Sequence, residues 1–378
     1  MSGRALEGIL VADFSRVLAG PSCGQILADL GAEVIKVERP GSGDDTRQWG
    51  PPYADEGSTY YLGLNRGKRS ITLDLRDEED GKLATELCRR ADVVLESFRP
   101  GTMEHHDLGW EQVHQINPRA IYTSISAFGH GEAARDFPGY DLLVEAMSGF
   151  MSITGEPDGE AMRPGTAIAD MTTGLYATIG TLAALKERDG SGEGQKVEVN
   201  LMESAFVMLL NLGSAYLNTD HMPTRTGNAH PAIAPYQTFA TADGELALAV
   251  GNDAIFARCC EELGRPELAK DERFLTNPDR VEHAEELASL LSELFAADNA
   301  QQWSRRLIAA GVPAGPVNDI HQAYEFAEQI GLDPVVELDG VRSTRSPIHM
   351  SRTPADPVRR PPRLGEHNDE LRAWLSES

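Results

Sequence analysis

Residues Ile9–Glu38 read ILVADFSRVLAGPSCGQILADLGAEVIKVE. Two short apolar runs containing Val and Ile flank a stretch whose apolar positions recur at helical spacing. Ile9–Phe14 predicts a buried strand, Gly20–Leu30 a helix and Glu33–Glu38 a second strand. A helix between two buried strands is a βαβ unit, which builds a parallel sheet. The turn after the first strand is SRVLAGP, without the GxGxxG spacing that lets a pyrophosphate approach the backbone. A nicotinamide enzyme loses its support there.

The alternation continues outward. Ser70–Leu75, Asp92–Glu96 and Ala120–Phe128 predict strands, with an acidic helix over Asp77–Arg90, and KVEVN (196–200) predicts another short strand. From Asn218 to Ala234 the chain is polar and broken by Pro and Gly, as in a linker. YQTFATADGELALAV (236–250) then predicts a hairpin, and helical patterns cover 253–263, 281–296 and 300–310. The expected fold class is α/β. A large Rossmann-like parallel-sheet domain would cover 1–217, a linker and smaller α+β domain 218–331, and a C-terminal segment, 332–378, would rejoin the large domain.

The 34 Lys and Arg against 59 Asp and Glu give a formal charge of −25. Such a field repels nucleic acid and anionic membrane surfaces, so neither is an expected partner. No apolar run is long enough to span a bilayer, and MSGRALEGIL carries no export signal. Cys23, Cys88, Cys259 and Cys260 show neither CxxC nor Cys/His ligand spacing, so no metal is expected and a reducing cytoplasm fits.

Arg163–Leu201, RPGTAIADMTTGLYATIGTLAALKERDGSGEGQKVEVNL, sets one acid, Asp170, directly before a long apolar helix. Gly174 and Gly180 on that helix would admit a close neighbour. As a residue type Asp170 suits an N-cap. A carboxylate at a helix N-terminus would also sit in positive potential, ionised and able to act as a nucleophile. Pro40–Ser70 is a long Gly/Pro-rich loop carrying Arg47, Trp49, Tyr53, Tyr60, Tyr61, Arg66, Lys68 and Arg69. A phosphate and adenine surface and a solvated loop with local packing are both compatible with it. Ser97-Phe98-Arg99-Pro100-Gly101 follows a strand, at the edge where open α/β sheets bind ligands. His105 and His106 read as surface histidines.

Four segments, 11–47, 65–75, 91–101 and LGEH at 364–367, together with Gly165 through Asp170 to Gly194-Gln195, resemble the class III CoA-transferases in order and spacing. That family contains the formyl-CoA and carnitine CoA-transferases, and the α-methylacyl-CoA racemases are similar to it. The resemblance implies that Asp170 is the catalytic nucleophile, and that a mixed anhydride on it keeps the acyl group activated where a serine ester would not. It implies CoA-binding roles for Val17, Leu18, Arg39, Leu73, Ser97, Phe98, Arg99, Gly139 and Tyr140. Backbone N–H groups near Gly139 and at the start of the Asp170 helix would serve as oxyanion donors. CoA esters and carboxylic acids would be the substrates, with no permanently bound cofactor, and two chains would interlock as a homodimer.

Tyr140 separates readings within the resemblance. The racemases carry a histidine there, and a phenol with a pKa of about 10 is a poor base at neutral pH. His130 is the only nearby histidine that could replace it. A racemase or epimerase and a non-catalytic acyl-CoA-binding or Rossmann-type protein stay as alternatives. The chain also departs from the family. Leu18 stands where formyl-CoA transferase has glutamine, and Ser97 where Asn is usual. Glu104-His105-His106-Asp107 stands where an arginine is common, and HPAIAPY (230–236) where some members have a glycine-rich loop.

Overall fold

A computed structural model describes residues 3–134 and 137–377. The chain divides into two compact units, one formed by residues 1–150, 164–221 and 333–378, the other by 151–163 and 222–332.

In the first unit six strands are β1 (Leu10–Asp13), β2 (Glu33–Glu38), β3 (Lys68–Thr72), β4 (Val93–Glu96), β5 (Ile121–Ser126) and β6 (Lys196–Asn200). They pair in the order β3-β2-β1-β4-β5-β6, every pair parallel. This is the Rossmann-like sheet expected. Its order reverses between β1 and β4. Side chains alternate between two buried layers: Val11, Val34 and Val93 face one, Ala12, Ile35 and Val94 the other. Both faces are covered, so these strands read as near-continuous apolar runs.

Helices α1 (Ala19–Asp29), α2 (Glu78–Arg90), α3 (Asp141–Met147), α4 (Ile168–Ser191), α5 (Leu201–Met208) and α6 (Leu210–Thr219) belong to this unit. The apolar run from Leu201 to Leu217 is split between α5 and α6 at Leu210, whose φ is +44°. The C-terminal segment returns as expected. Its helix Asn368–Ser376 inserts Leu371 and Leu375 into the second layer. His367 Nδ1 accepts from Ser70 N (3.2 Å) and Asn368 Oδ1 from Thr72 N (2.8 Å), which covers the open edge of β3.

The segment 40–70 is more ordered than a structureless loop. It holds a 3-10 turn at Asp45–Gln48 and a helix at Thr59–Leu64 capped by Ser58. Most of its cations serve the fold. Arg47 meets Glu38 (2.8 and 2.7 Å), Arg66 meets Asp29 (3.1 and 2.6 Å), Lys68 meets Asp13 (2.9 Å) and Arg69 meets Glu33 (3.1 Å). Lys36 lies equally deep, 2.9 Å from Asp44 and 2.9 Å from the Ser15 carbonyl oxygen. Buried charges survive only when paired in this way.

The second unit carries a three-stranded antiparallel sheet of Tyr236–Ala240, Glu245–Ala249 and Ala314–Pro316. Helices Asp253–Glu262, Ala284–Phe295 and Ala300–Ala309 accompany it. Phe239, Leu246, Phe256, Phe295 and Trp303 form its core. Cys259 and Cys260 are buried free thiols, both pushed up to about 12 chiefly by burial.

Within the first unit α4 crosses α1 without a spacer. A Cβ on Gly174 would lie 2.1 Å from Ser22 Oγ and 2.7 Å from the Ala19 carbonyl oxygen. Gly174→Ala is therefore expected to lower stability by about 1–3 kcal/mol through overpacking. Gly81→Ala, in α2 with open space around its Cβ, should be neutral or stabilising by about 0.5–1 kcal/mol. Denaturant unfolding of the two variants checks this, and equal stability would remove the packing account.

Candidate active site

In an open parallel sheet, the loops leaving the carboxyl ends of strands diverge where the order reverses, and a crevice opens there. Here those loops follow β1 and β4. The cleft between them, about 220 Å³, is lined by Arg16, Val17, Ser97, Phe98, Arg99, Gly139, Tyr140 and Asp170, all in the first unit. Of the nine residues expected to bind CoA, six thus meet the expected nucleophile in one cavity.

The turn after β1 is held tightly. Ser97 Oγ accepts from Arg16 N (2.9 Å) and lies 3.3 Å from the Arg16 carbonyl oxygen, tying the two loops together. Val17 adopts φ of +69°, a left-handed conformation that a β-branched residue rarely takes. Such strain costs roughly 1–3 kcal/mol and clusters at ligand sites. The Arg16 guanidinium stacks 4.7 Å over the Phe98 ring. Helix α1 then begins with no side-chain cap from Leu18. Leu18 itself is buried and lines neither cleft.

Across the cleft, Gly139 packs where a Cβ would fall 1.9 Å from that of Ala127. This fixes Tyr140 at the mouth, exposed, and starts α3 at Asp141. Asp170 is the third residue of α4, not its cap, which is Ala167. Its own N–H donates to Asp141 Oδ1 (3.0 Å) and is not a free oxyanion donor. The helix start was expected to keep this carboxylate ionised. Instead its pKa rises from 3.8 to about 7, first because it is buried, then because Asp141 and Glu145 repel its charge. A helix terminus contributes about half a charge, too little against burial and two acids. The Tyr60 phenol is pushed up to about 12 by burial and by the charges of Asp170 and Asp141.

A second cleft of about 660 Å³ continues from the first, sharing Arg16, Phe98 and Arg99 and adding Arg39, Leu73, Arg76 and His106. Arg39 is half exposed there and pairs with Asp45. Its fellow histidine, His105, packs edge-on against His106 with ring centroids 5.2 Å apart. His130 lies elsewhere, 3.1 Å from Ser124 Oγ and 3.6 Å from Glu198, in a recess with Asn200. Burial lowers its pKa. Among the described residues no histidine lines the Asp170 cleft, and no group of three His, Cys, Asp or Glu could hold a metal.

The sequence model for CoA-transferase family III matches residues 6–368. The chain belongs to that family. A succinate–glutarate CoA-transferase of Agrobacterium fabrum is 44% identical to it over 98% of this chain and 95% of its own. The human succinyl-CoA:glutarate CoA-transferase is 38% identical over 97% of this chain and 85% of its own. Among solved structures, a CAIB/BAIF family protein from Brucella suis superposes with a TM-score of 0.90 at 42% identity, covering 99% of this chain and 100% of that one. The expectation of a CoA-transferase enzyme stands. Among the described residues no helix is long and apolar enough to cross a membrane.

Sequence reasoning left out Arg16, Asp141 and Glu145 of this family III chain. Arg16 lay within the turn already singled out. Asp141 and Glu145 are four apart on a helix, which in sequence looks like a solvated face. The electrostatics carries its own test. The unfolded Asp170 ionises near 3.8 and the folded one near 7. Between these values the unfolded state loses its proton first, so stability falls as pH rises, and the full penalty holds above about pH 7. Asp170→Asn lacks this penalty. It should exceed the wild type in stability by about 2 kcal/mol at pH 8, a figure discounted for partial solvent access, and converge with it near pH 4. Thermal melts across pH check this, and a constant gap or a gap of opposite sign would contradict it.

Proposed function

We propose that this enzyme moves CoA between two short dicarboxylic acids through covalent intermediates on Asp170. The observation that carries the reading is the buried Asp170 carboxylate set in the cleft at the sheet's switch point, beside a second, larger cleft rimmed by arginines. The acyl end of a CoA ester would enter the first cleft past Val17, Gly139 and Tyr140. Its nucleotide end would occupy the second, where Arg39 and Arg76 offer cations to phosphate and Leu73 and Phe98 offer apolar surface. The dicarboxylate class is supported by relatives named for succinate and glutarate, alongside others named for oxalate and mesaconate. Arg16 and Arg99 reach both clefts and could meet a second carboxylate.

The ionised Asp170 oxygen attacks the thioester carbonyl carbon, and the CoA thiolate leaves. The resulting anhydride stays activated. The thiolate then attacks the Asp170 carbonyl carbon, releasing the first acid and forming an aspartyl-CoA thioester. An acceptor carboxylate attacks that thioester, and the same steps run in reverse. Water must be excluded while the anhydride stands. A racemase would instead need a base opposite Asp170, and His130 faces another recess. Tyr140 fits substrate positioning.

The homodimer belongs to the same reading. Helices α4 and α6 leave Ile179, Leu210 and Leu217 more than half exposed, at 60%, 71% and 80%. So much apolar surface suits burial against a second copy. Light scattering should report a dimer at micromolar concentration, and a monomer would contradict it.

Wild-type enzyme turned over on succinyl-CoA in hydroxylamine should carry a hydroxamate on Asp170, read by peptide mass spectrometry. Asp170→Asn should fold and lose transfer by roughly a thousandfold or more. A donor and acceptor panel should favour succinate and glutarate over monocarboxylates. Near-normal transfer by the variant, or turnover without an adduct, would sink the nucleophile. Rapid deuterium exchange at the α-carbon of a 2-methylacyl-CoA, without acceptor acid, would mark a racemase.

A further inference from the structure

The first turn of α4 lacks a local cap, since the Ala167 methyl offers no hydrogen-bond acceptor. An uncapped N–H at its third position would be left without a partner. Asp141 supplies the acceptor from another helix, 3.0 Å away on the Asp170 N–H. An Asn or Ser would do this as well. An aspartate adds a negative charge beside the nucleophile, which capping does not require and which costs stability. Asp141 is only 8% exposed, and Glu145, one turn further along α3, is fully buried. Charges so placed are poorly screened by solvent.

We propose that Asp141 is a positioning residue for Asp170, and that its charge, with that of Glu145 behind it, drives the nucleophile toward its neutral, covalently substituted states. The proposal rests on the reading of Asp170 as the site of acyl transfer. In that step the bond from Asp170 Oδ to the acyl carbon forms and the carbon–sulfur bond breaks. The electron pair and the negative charge depart with the CoA thiolate. Before the step the Asp170 carboxylate lies beside Asp141, which holds its N–H, and after it Asp170 is a neutral anhydride. The aspartyl-CoA thioester is neutral at the same position. Both intermediates therefore gain from relief of a repulsion that the free enzyme bears.

Other groups around Asp170 do not cancel this. Tyr60 faces it as a neutral phenol held well above its ordinary range. Of the cations lining the cleft, Arg16 is engaged by Phe98 and by Asp45 at 3.7 Å, and Arg99 is exposed at the rim. The influences acting on the Asp170 carboxylate are burial, Asp141 and Glu145, with no cation among them.

Asp141→Asn keeps an acceptor oxygen for the Asp170 N–H and removes the charge. The acidic limb of kcat/KM, which rises as Asp170 ionises, should move down by about half to one pH unit. The equilibrium ratio of acylated to free enzyme above that limb should fall by the corresponding three- to tenfold, since both report the same stabilisation of the carboxylate. Intact-protein mass spectrometry at fixed ratios of succinyl-CoA to CoA reads the second quantity. Glu145→Gln, which leaves the Asp170 backbone contact untouched, should move both in the same direction and by less. It also decides the matter if Asp141→Asn fails to fold. A uniform loss of activity with an unmoved limb and ratio would reduce Asp141 to a cap and overturn the proposal, as would Glu145→Gln that shifts neither. If the wild type forms no Asp170 adduct, the acyl-transfer reading itself falls, which the wild-type control reveals before any variant is compared.

Discussion

The contact on which the site depends is the one between α4 and α1 at Gly174. A helix rises about 6 Å over four residues, so Asp170 stands one turn before the crossing on the same side of α4. With Ser22 and the Ala19 carbonyl filling the space a side chain would need, Asp170 is brought to the uncapped start of α1. Any spacer at 174 would lift Asp170 away from the turn after β1. The turn in its place is fixed by Ser97 across the switch point and, underneath, by Lys36 on the Ser15 carbonyl. Packing sets the distance and buried polar contacts set the direction.

That foundation bears on how a strongly acidic protein can hold a polyanion. The overall charge is −25, yet charges farther apart than about 8–10 Å are largely screened at ordinary salt. What matters is the local balance. Inside, Lys36, Lys68, Arg47 and Arg66 are consumed by Asp44, Asp13, Glu38 and Asp29. At the rim of the larger cleft Arg99 stays accessible, while Arg76 and Arg39 are held by the side chains of Asp74 and Asp45 at the surface. An incoming phosphate would compete with Asp45 for Arg39 at little desolvation cost, which it could not do against the buried pairs.

The same distinction explains what could be read from the sequence. The parallel sheet was legible because its strands are buried on both faces and its helices keep a regular period. The ligand edge followed from the loop after Glu96. The cations of 40–70 were not legible, because their partners lie far along the chain: Arg47 pairs with Glu38, Lys68 with Asp13 and Arg69 with Glu370. No local pattern distinguishes an arginine bound for a phosphate from one bound for a distant aspartate. Asp170 was found by resemblance, but its acidity was misjudged from local geometry alone. A helix start argues for ionisation, whereas the tertiary neighbours Asp141 and Glu145 argue against it and prevail.

A fold selected for stability alone would not keep this arrangement. Asp141 and Asp170 meet at the starts of α3 and α4 with Glu145 one turn further along α3, and a strained Val17 lines the same cleft as Asp170. Each feature raises the energy of the resting enzyme. Placing an arginine against Asp170 would lower that energy and, if Asp170 is the nucleophile proposed above, lower its nucleophilicity with it, because the carboxylate would be stabilised more than a neutral anhydride. The site is instead poor at holding a charge and well matched to losing one. Transfer chemistry asks for that asymmetry, since thioester and carboxylate are exchanged in both directions and neither may become a trap. The surrounding buried ion pairs and the tight crossing at Gly174 let the rest of the unit carry the strain without yielding the geometry.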